Sequence, residues 1–342
     1  MKVAIIGGGP AGLYLALLLK RSAPDWQVEI IEQNSADATF GFGVVLADTG
    51  LQQLRDADAA SYEALVGAMQ LHDRQIITQG ETPIEITLPV KGGAIPRLKL
   101  LQTLEAQAKG AGVVIHHQQR ISGSADLARF GLQDADVVVG ADGANSTIRL
   151  EFAEQFGTTT RTLQNHFAWF GTPRVFESSA LVFRKYQGGH FVAHYYAYSD
   201  EMSTFVAECD DVTWHRLGLE QMSDEQRQAL FEHIFAPELD GAPLISGNAK
   251  SVWRQFPAIR NARWTTDRYV LIGDALASAH FSIGSGTRIA MNDSIALAKA
   301  LLACKGDALK GLQSFEHDHG PKKHKLIDAS ELSYLWYEQI AQ

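Results

Sequence analysis

Short apolar runs alternate with longer amphipathic stretches at both ends of the chain. "KVAII" (2–6) reads as a buried parallel strand, "LYLALLLKRS" (13–22) as a helix with an apolar face, and "VEIIE" (28–32) as a second strand. Further along, "VVV" (137–139) predicts a buried strand, and Ser146 is placed to cap a helix opening with "STIR". "YVLIGD" (269–274) ends another strand, and "TRIAMNDSIALAKALL" (287–302) spaces its apolar residues for a helix. Between 162 and 211 the alternation of strand and helix stops. "NHFAWFGTPRVF", "ALVFRKY", "HFVAHYYAYS" and "STFVAECD" are rich in aromatic and β-branched residues and are separated by Gly, Ser and Asp turns, which predicts an antiparallel sheet. "HDRQIITQGETPIEITLP" (72–89) is expected to add strands to it. "SDEQRQALFEHIF" (223–235) predicts a helix with Ser223 and Gln226 as a capping box.

Three of the strand ends carry the same kind of punctuation. After the first strand comes "GGGPAG", giving Gly7-x-Gly9-x-x-Gly12. Gly7 permits the tight turn, Gly9 lets the backbone approach a pyrophosphate, and Gly12 lets the helix pack on the strand. Pro10 suits the first helical turn, where its missing N–H costs nothing. Glu32 follows Gly7 by 25 residues, close to the ~20 at which an acid meets a ribose hydroxyl. Strand, glycine turn, helix, strand and acid together predict dinucleotide binding, and this unit alone does not separate FAD from NAD. The second strand end reads "GADGANS" with Asp142 and Gly143. The third reads "GDALASAHFSIGSG", with Asp274 at the strand end and Gly284 and Gly286 before a long helix whose free N–H groups favour a negative charge.

Composition narrows the classes. The 342 residues suggest about two domains. A formal net charge of −9 argues against broad nucleic-acid or anionic-membrane binding. Cys209 and Cys304 imply no disulfide framework, so a cytoplasmic location is the default. The N-terminal apolar run is too short for a signal peptide, no window of ~20 apolar residues predicts a membrane span, and no cluster of metal ligands stands out.

"GGGPAG", "GADGANS" and "LIGDALASAHFSIGSG" resemble the three fingerprints of the class A FAD-dependent aromatic monooxygenases. "TFGFGVVLAD" (39–48), "FVAHYYAYSDEMSTFVAEC" (191–209) and "AHFSIGSGT" (279–287) resemble the subgroup that includes salicylyl-CoA 5-hydroxylase, the 2-aminobenzoyl-CoA monooxygenases and the violacein-pathway hydroxylase. There are departures. Ala277 stands where many members carry His, and "HFSI" stands where many carry a Pro pair. A halogenase-type Trp-x-Trp-x-Ile-Pro motif is missing, and the second flavin domain of the bifunctional members is expected to be absent.

The resemblance implies an α/β fold. A Rossmann-like FAD-binding domain (1–75, 95–160 and 256–342) would be interrupted by an antiparallel-sheet substrate domain (76–94 and 161–255), with C-terminal helices. It implies bound FAD, with NADH or NADPH and O₂ as co-substrates. It also implies hydroxylation of an activated aromatic ring through a C4a-hydroperoxyflavin. The substrate reading is a small aromatic molecule, an aryl-CoA thioester such as salicylyl-CoA or anthranilyl-CoA being one form. The alternatives are an indole- or tryptophan-derived intermediate, or a non-hydroxylating flavin oxidoreductase. A monomer or homodimer is expected. By the same resemblance Gly7, Gly9, Gly12, Glu32, Arg97, Asp142, Gly143, Asp274, Gly284 and Gly286 hold FAD, and Phe42, Gly43 and Val44 form the loop over the flavin ring.

Alternation in "HFVAHYYAYS" puts Val192, His194, Tyr196 and Tyr198 on one strand face. The subgroup carries a similar His-x-Tyr, which implies that His194 and Tyr196 line the pocket and bind the substrate's polar group, the alternative being a structural His and core aromatics. His280, in the loop before Gly284, is expected either to hydrogen-bond a substrate hydroxyl or carbonyl or to brace the loop. Glu208 matches the subgroup as well. Arg254, Arg260, Arg263 and Arg268, with Arg184 and Lys185, are expected either to meet an anionic CoA tail or to be solvated surface charge.

Overall fold

The computed structural model describes residues 1–38, 41–46, 48–80, 82–247, 253–284 and 286–340. Thr39, Phe40, Ala47 and Ser285 of the quoted motifs, and residues 248–252 of the expected substrate domain, lie outside that set. The strands are β1 (Lys2–Ile6), β2 (Gln27–Ile31), β3 (Gly43–Leu46), β4 (Gln70–Gln79), β5 (Pro83–Pro96), β6 (Val114–His116), β7 (Val137–Gly140) and β8 (Thr158–Thr172). They continue with β9 (Ser179–Tyr186), β10 (Gly189–Ala197), β11 (Ser203–Cys209), β12 (Ile245–Ser246), β13 (Trp253–Asn261), β14 (Thr265–Thr266) and β15 (Tyr269–Leu271).

One sheet has the order β14-β15-β7-β1-β2-β6. β1 pairs in parallel with β2 and β7, β15 with β7, and β6 with β2. Strands covered on both faces read as continuous apolar runs, and Val3–Ile5 and Val137–Val139 are fully buried. The helix Pro10–Ser22 covers one face. It has Pro10 in its first turn and packs against the helix Gly286–Ala303. The ends of β1, β7 and β15 bring "GGGPAG", "GADGANS" and "GDAL" to the same edge of this sheet, where an open α/β sheet binds ligands.

The second sheet has the order β12-β8-β11-β10-β9-β4-β5-β3, with β13 also paired to β8. β8, β11, β10 and β9 form the expected antiparallel run, and β4 joins β9 in parallel. β4 and β13 run across the limits expected at 76 and 256, and β3 joins this sheet from within the first expected segment. A strand ends where its ladder ends, and pairing partners distant in sequence set that point. One face of the sheet packs Phe170, Ala193, Phe205 and Ala207 against Phe231 and Phe235. These come from the helix Asp224–Ile234 and the turn after it. That helix carries the capping box foreseen: Ser223 Oγ accepts from the Gln226 N–H, and Gln226 Oε1 accepts from the Ser223 N–H at 2.8 Å. The other face turns toward the first sheet. On it, Val192, Glu208, Phe167 and Arg254 form one cross-strand row over β10, β11, β8 and β13. The long helix Ala308–Glu338, with Pro321 inside it, carries Tyr337 onto Phe183 and His194. Among the described residues no helix is long and apolar enough to cross a membrane.

Candidate active site

Two cavities meet between the sheets. The smaller, about 450 Å³, runs along the edge of the parallel sheet past Gly7, Gly9, Glu32, Asp142 and Gly143. The larger, about 670 Å³, lies under the second sheet. Arg97, Asp274, Gly286 and Thr287 line both, so the two form one bent space.

The glycines of the smaller cavity divide by what surrounds them. A Cβ on Gly7 would sit 2.5 Å from the Ala141 carbonyl oxygen, and its φ of +107° suits glycine alone. A Cβ on Gly12 would sit 2.1 Å from the Gly7 carbonyl oxygen. A Cβ on Gly9 would meet nothing within 4 Å. Two of the glycines are thus required by the protein's own packing, and the third faces open space at the helix N-terminus. Glu32 is fixed at the rim. Its Oε2 accepts from the Gly8 N–H at 2.6 Å, and its Oε1 from the backbone and side-chain nitrogens of Asn34 at 2.7 Å.

The acids are desolvated. Asp142 Oδ2 accepts from the Thr147 N–H at 2.6 Å, while its buried Oδ1 has no partner among the described residues, and burial raises its pKa. Asp274 opens onto both cavities. The protein around it raises its pKa through desolvation, with Lys323 and Arg97 pulling the other way. Burial also weakens the Arg97 guanidinium's hold on its proton, against the pull of Asp274 and Tyr196.

In the larger cavity the loop before β3 is pinned to the second sheet. The Tyr196 hydroxyl donates to the Gly43 carbonyl at 2.9 Å, and the Gly43 N–H donates to Thr204 Oγ1 at 3.0 Å. The Arg97 N–H donates to the Phe42 carbonyl at 2.8 Å. Burial pushes the Tyr196 phenol up to about 12, so it is a hydrogen-bond donor and not a phenolate. Trp169, Phe281 and Tyr337 supply apolar wall. His194 enters between Phe281, edge-on at 5.6 Å, and Tyr337 at 5.4 Å. Its buried Nε2 lies 3.5 Å from Glu208 Oε2, an ion-pair distance at which neither atom makes a hydrogen bond. Glu208 is 1% exposed and its Oε1 accepts from Asn165 Nδ2 at 2.8 Å. Burial opposes its ionisation, but His194, His280 and Asn165 outweigh that and hold the carboxyl below its usual range.

A family model for the FAD binding domain matches residues 1–330. The chain belongs to that family. It is 37% identical over its whole length to a salicyloyl-CoA 5-hydroxylase of a Streptomyces species, of which it spans 66%. It is 34% identical, over 99% of its length and 90% of the relative's, to a 3-hydroxy-4-methyl-anthranilyl-[aryl-carrier protein] 5-monooxygenase of Streptosporangium sibiricum. The fold is shared with the tetrameric form of 2-methyl-3-hydroxypyridine-5-carboxylic acid oxygenase, with a TM-score of 0.79, 18% identity and coverage of 98% of this chain and 92% of that one. The chain is thus an FAD-dependent aromatic monooxygenase, as its three motifs imply, and FAD is its cofactor.

The residues present fit FAD. The open space before Gly9, the unpartnered Asp142 Oδ1, and a cavity that continues past Arg97 and Asp274 to the helix start at Gly286 match a long, bent, phosphate-bearing molecule. Of the residues named from sequence, Phe42, Gly43, Val44, His194, Tyr196, Gly284 and Gly286 line the larger cavity. Gly12 lies in the first turn of the first helix, against the Gly7 carbonyl and Ile5. His280 does not come to the cavity wall. It is 3% exposed, and its ring lies against Phe281 at 4.0 Å and Phe256 at 5.0 Å. Its Nδ1 accepts from the Ser282 N–H at 3.3 Å, and the His280 backbone N–H donates to Ser330 Oγ at 2.8 Å. Burial pushes its pKa down to about 4, so the ring braces the loop as a neutral group.

Sequence reading missed the supports. Arg149 is 3% exposed and donates to the carbonyls of Ala144 and Ala275, tying the second motif loop to the third. Asp293 is fully buried. It accepts from the Gly273 N–H at 2.8 Å, from His319 Nε2 at 2.9 Å and from Lys323 Nζ. These contacts fix the turn that presents Asp274.

Proposed function

We propose that the chain hydroxylates an aromatic ring carried as a thioester, taking electrons from NADH or NADPH. The observation that supports this reading is the junction of the two cavities. A space of about 670 Å³, in the range of small-molecule pockets, opens onto the FAD cradle at Arg97, Asp274, Gly286 and Thr287. Both relatives described above are named for aryl groups held on CoA or on a carrier protein. When bound, FAD supplies the electron transfer and delivers one oxygen atom of O₂ to a ring carbon. The balance is one ring C–H, O₂, NAD(P)H and a proton in, and one ring C–OH, water and NAD(P)⁺ out.

The chain's own residues position and shield. Trp169, Phe281 and Tyr337 hold the ring by apolar contact and exclude water. The N–H groups at the start of the helix Gly286–Ala303 border both cavities and would favour negative charge on a cofactor held there. His194 lines the cavity with its Nε2 3.5 Å from the Glu208 carboxylate, and it is the group that would take the proton of a ring hydroxyl or accept a hydrogen bond from a ring amino group. Removing that proton makes the ring more electron-rich at the moment of attack.

The test is substrate-stimulated NAD(P)H oxidation by the FAD-loaded protein, with product analysis under ¹⁸O₂. Salicylyl-CoA and anthranilyl-CoA are compared with the free acids and with indole. Labelled hydroxylated product from a thioester is the expected result. Turnover of indolic compounds alone, or NAD(P)H oxidation with no labelled product from any of them, overturns the reading.

A further inference from the structure

The arginines that lie close together in the sequence are separated by the fold. Arg260 pairs with Glu331 at 3.1 Å, Arg184 pairs with Glu238, Arg268 donates to the Ala135 carbonyl at 3.0 Å, and Arg263 is exposed. Arg254 alone of this set lines the larger cavity. The register of β13 on β8 places it opposite Phe167, and its guanidinium lies 5.2 Å from that ring's centroid. Among the described residues it has no carboxylate partner. Glu208, two strands away in the same row, is occupied by Asn165 and His194.

We infer that Arg254 anchors an anionic group of the substrate, either a carboxylate on the ring or a phosphate of its thioester carrier. The inference rests on the proposal that an aromatic substrate occupies this cavity. A guanidinium held by its face against an aromatic ring keeps its N–H edge free, and that planar fork matches the two oxygens of a carboxylate or phosphate. The contact with Phe167 also restricts the side chain before ligand arrives, so less rotamer entropy is lost on binding than for an arginine without such a contact. The cavity wall around it partly desolvates the cation, as the lowering of its pKa by burial reflects. An anion therefore gains more at this place than it would at an open surface.

The experiment is a calorimetric titration of the FAD-loaded protein and its Arg254→Gln and Arg254→Lys variants with salicylate, salicylyl-CoA and phenol. Melting temperature and flavin content serve as controls on folding. Arg254→Gln is expected to weaken at least one of the two anions by about tenfold or more while leaving phenol within about twofold, and Arg254→Lys to recover part of the loss. Weakening of salicylate identifies a ring carboxylate as the partner, and weakening of salicylyl-CoA alone identifies the carrier phosphates. Unchanged affinity for both anions, an equal loss for phenol, or no binding of either anion by the parent protein overturns the inference. Failure of the hydroxylase reading registers separately, as intact binding with no labelled product.

Discussion

The Tyr196 hydroxyl holds the Gly43 carbonyl at 2.9 Å, so a residue expected to meet the substrate spends its polar atom on the backbone of another cavity-lining residue. Thr204 holds the N–H of the same glycine. Tyr196→Phe removes one neutral hydrogen bond, worth about 1 kcal/mol, and leaves the apolar wall in place. The expected effect is poorer coupling. NAD(P)H oxidation persists, while hydroxylated product per NAD(P)H falls by a factor of about two to five, in line with a bond of that size. An unchanged product ratio would show that the loop does not depend on this bond.

Gly9 and Gly12 should separate cofactor binding from folding. Gly9 has φ −76°, which alanine adopts freely, and its added methyl would enter open space. Gly9→Ala is expected to keep the melting temperature of the flavin-free protein and to lose flavin on gel filtration. Gly12→Ala drives a methyl onto the Gly7 carbonyl and should destabilise the flavin-free protein itself by about 1–3 kcal/mol. Melting curves of both flavin-free variants decide this, and equal stability would contradict it.

Lys323 and Asp293 form a buried pair, 1% and 0% exposed. Burial opposes the charge on Asp293, but Lys323 and His319 hold its pKa below the ordinary value. Lys323→Met takes the buried ammonium from a carboxylate left with only the Gly273 N–H and His319, and should cost about 3 kcal/mol. Adding Asp293→Asn should return part of that loss, because the uncompensated charge goes with it. Urea midpoints of the single and double variants measure the coupling, and strictly additive losses would rule it out.

His280 gives the protein an acid-side instability. Its folded-state pKa of about 4 lies below its ordinary 6.5, so above pH 6.5 the ring is neutral whether the chain is folded or not. As pH falls from 6.5 toward 4, the unfolded chain takes up a proton that the folded chain refuses. Stability then drops by up to about 3 kcal/mol. His280→Asn keeps an acceptor for the Ser282 N–H and cannot titrate, so its stability should change less between pH 7 and pH 4.5. Denaturant midpoints at the two pH values test the difference.

The strand–glycine turn–helix–strand unit at the start of the chain was legible because its signals are local. A buried strand, three glycines at fixed spacing and an acid at the next strand end all fall within the first 32 residues, and each has a backbone reason. The pairing of β4 with β9 and the recruitment of β3 were not, since strands far apart in sequence leave no periodic trace. His280 illustrates a second limit. The motif placed its loop correctly beside Gly284, but one residue's difference along the turn sends Phe281 to the cavity and His280 behind it. Nothing local in the sequence marks Arg149 or Lys323 as structural. Only the positions of the Ala275 carbonyl and Asp293, supplied by other elements, make them structural.

The second sheet has a consequence for how such a chain diversifies. Along β10 and β11, His194, Tyr196 and Val206 border the cavity, while Ala193, Phe205 and Ala207 alternate with them and pack under Phe231 and Phe235; Tyr195 packs on that core and also reaches the cavity. Specificity and folding are therefore written on alternate letters of the same strands. The cavity letters are free to be rewritten for a new aromatic partner while the others keep the barrier to unfolding. A one-residue insertion in either strand would exchange the two texts and lose both.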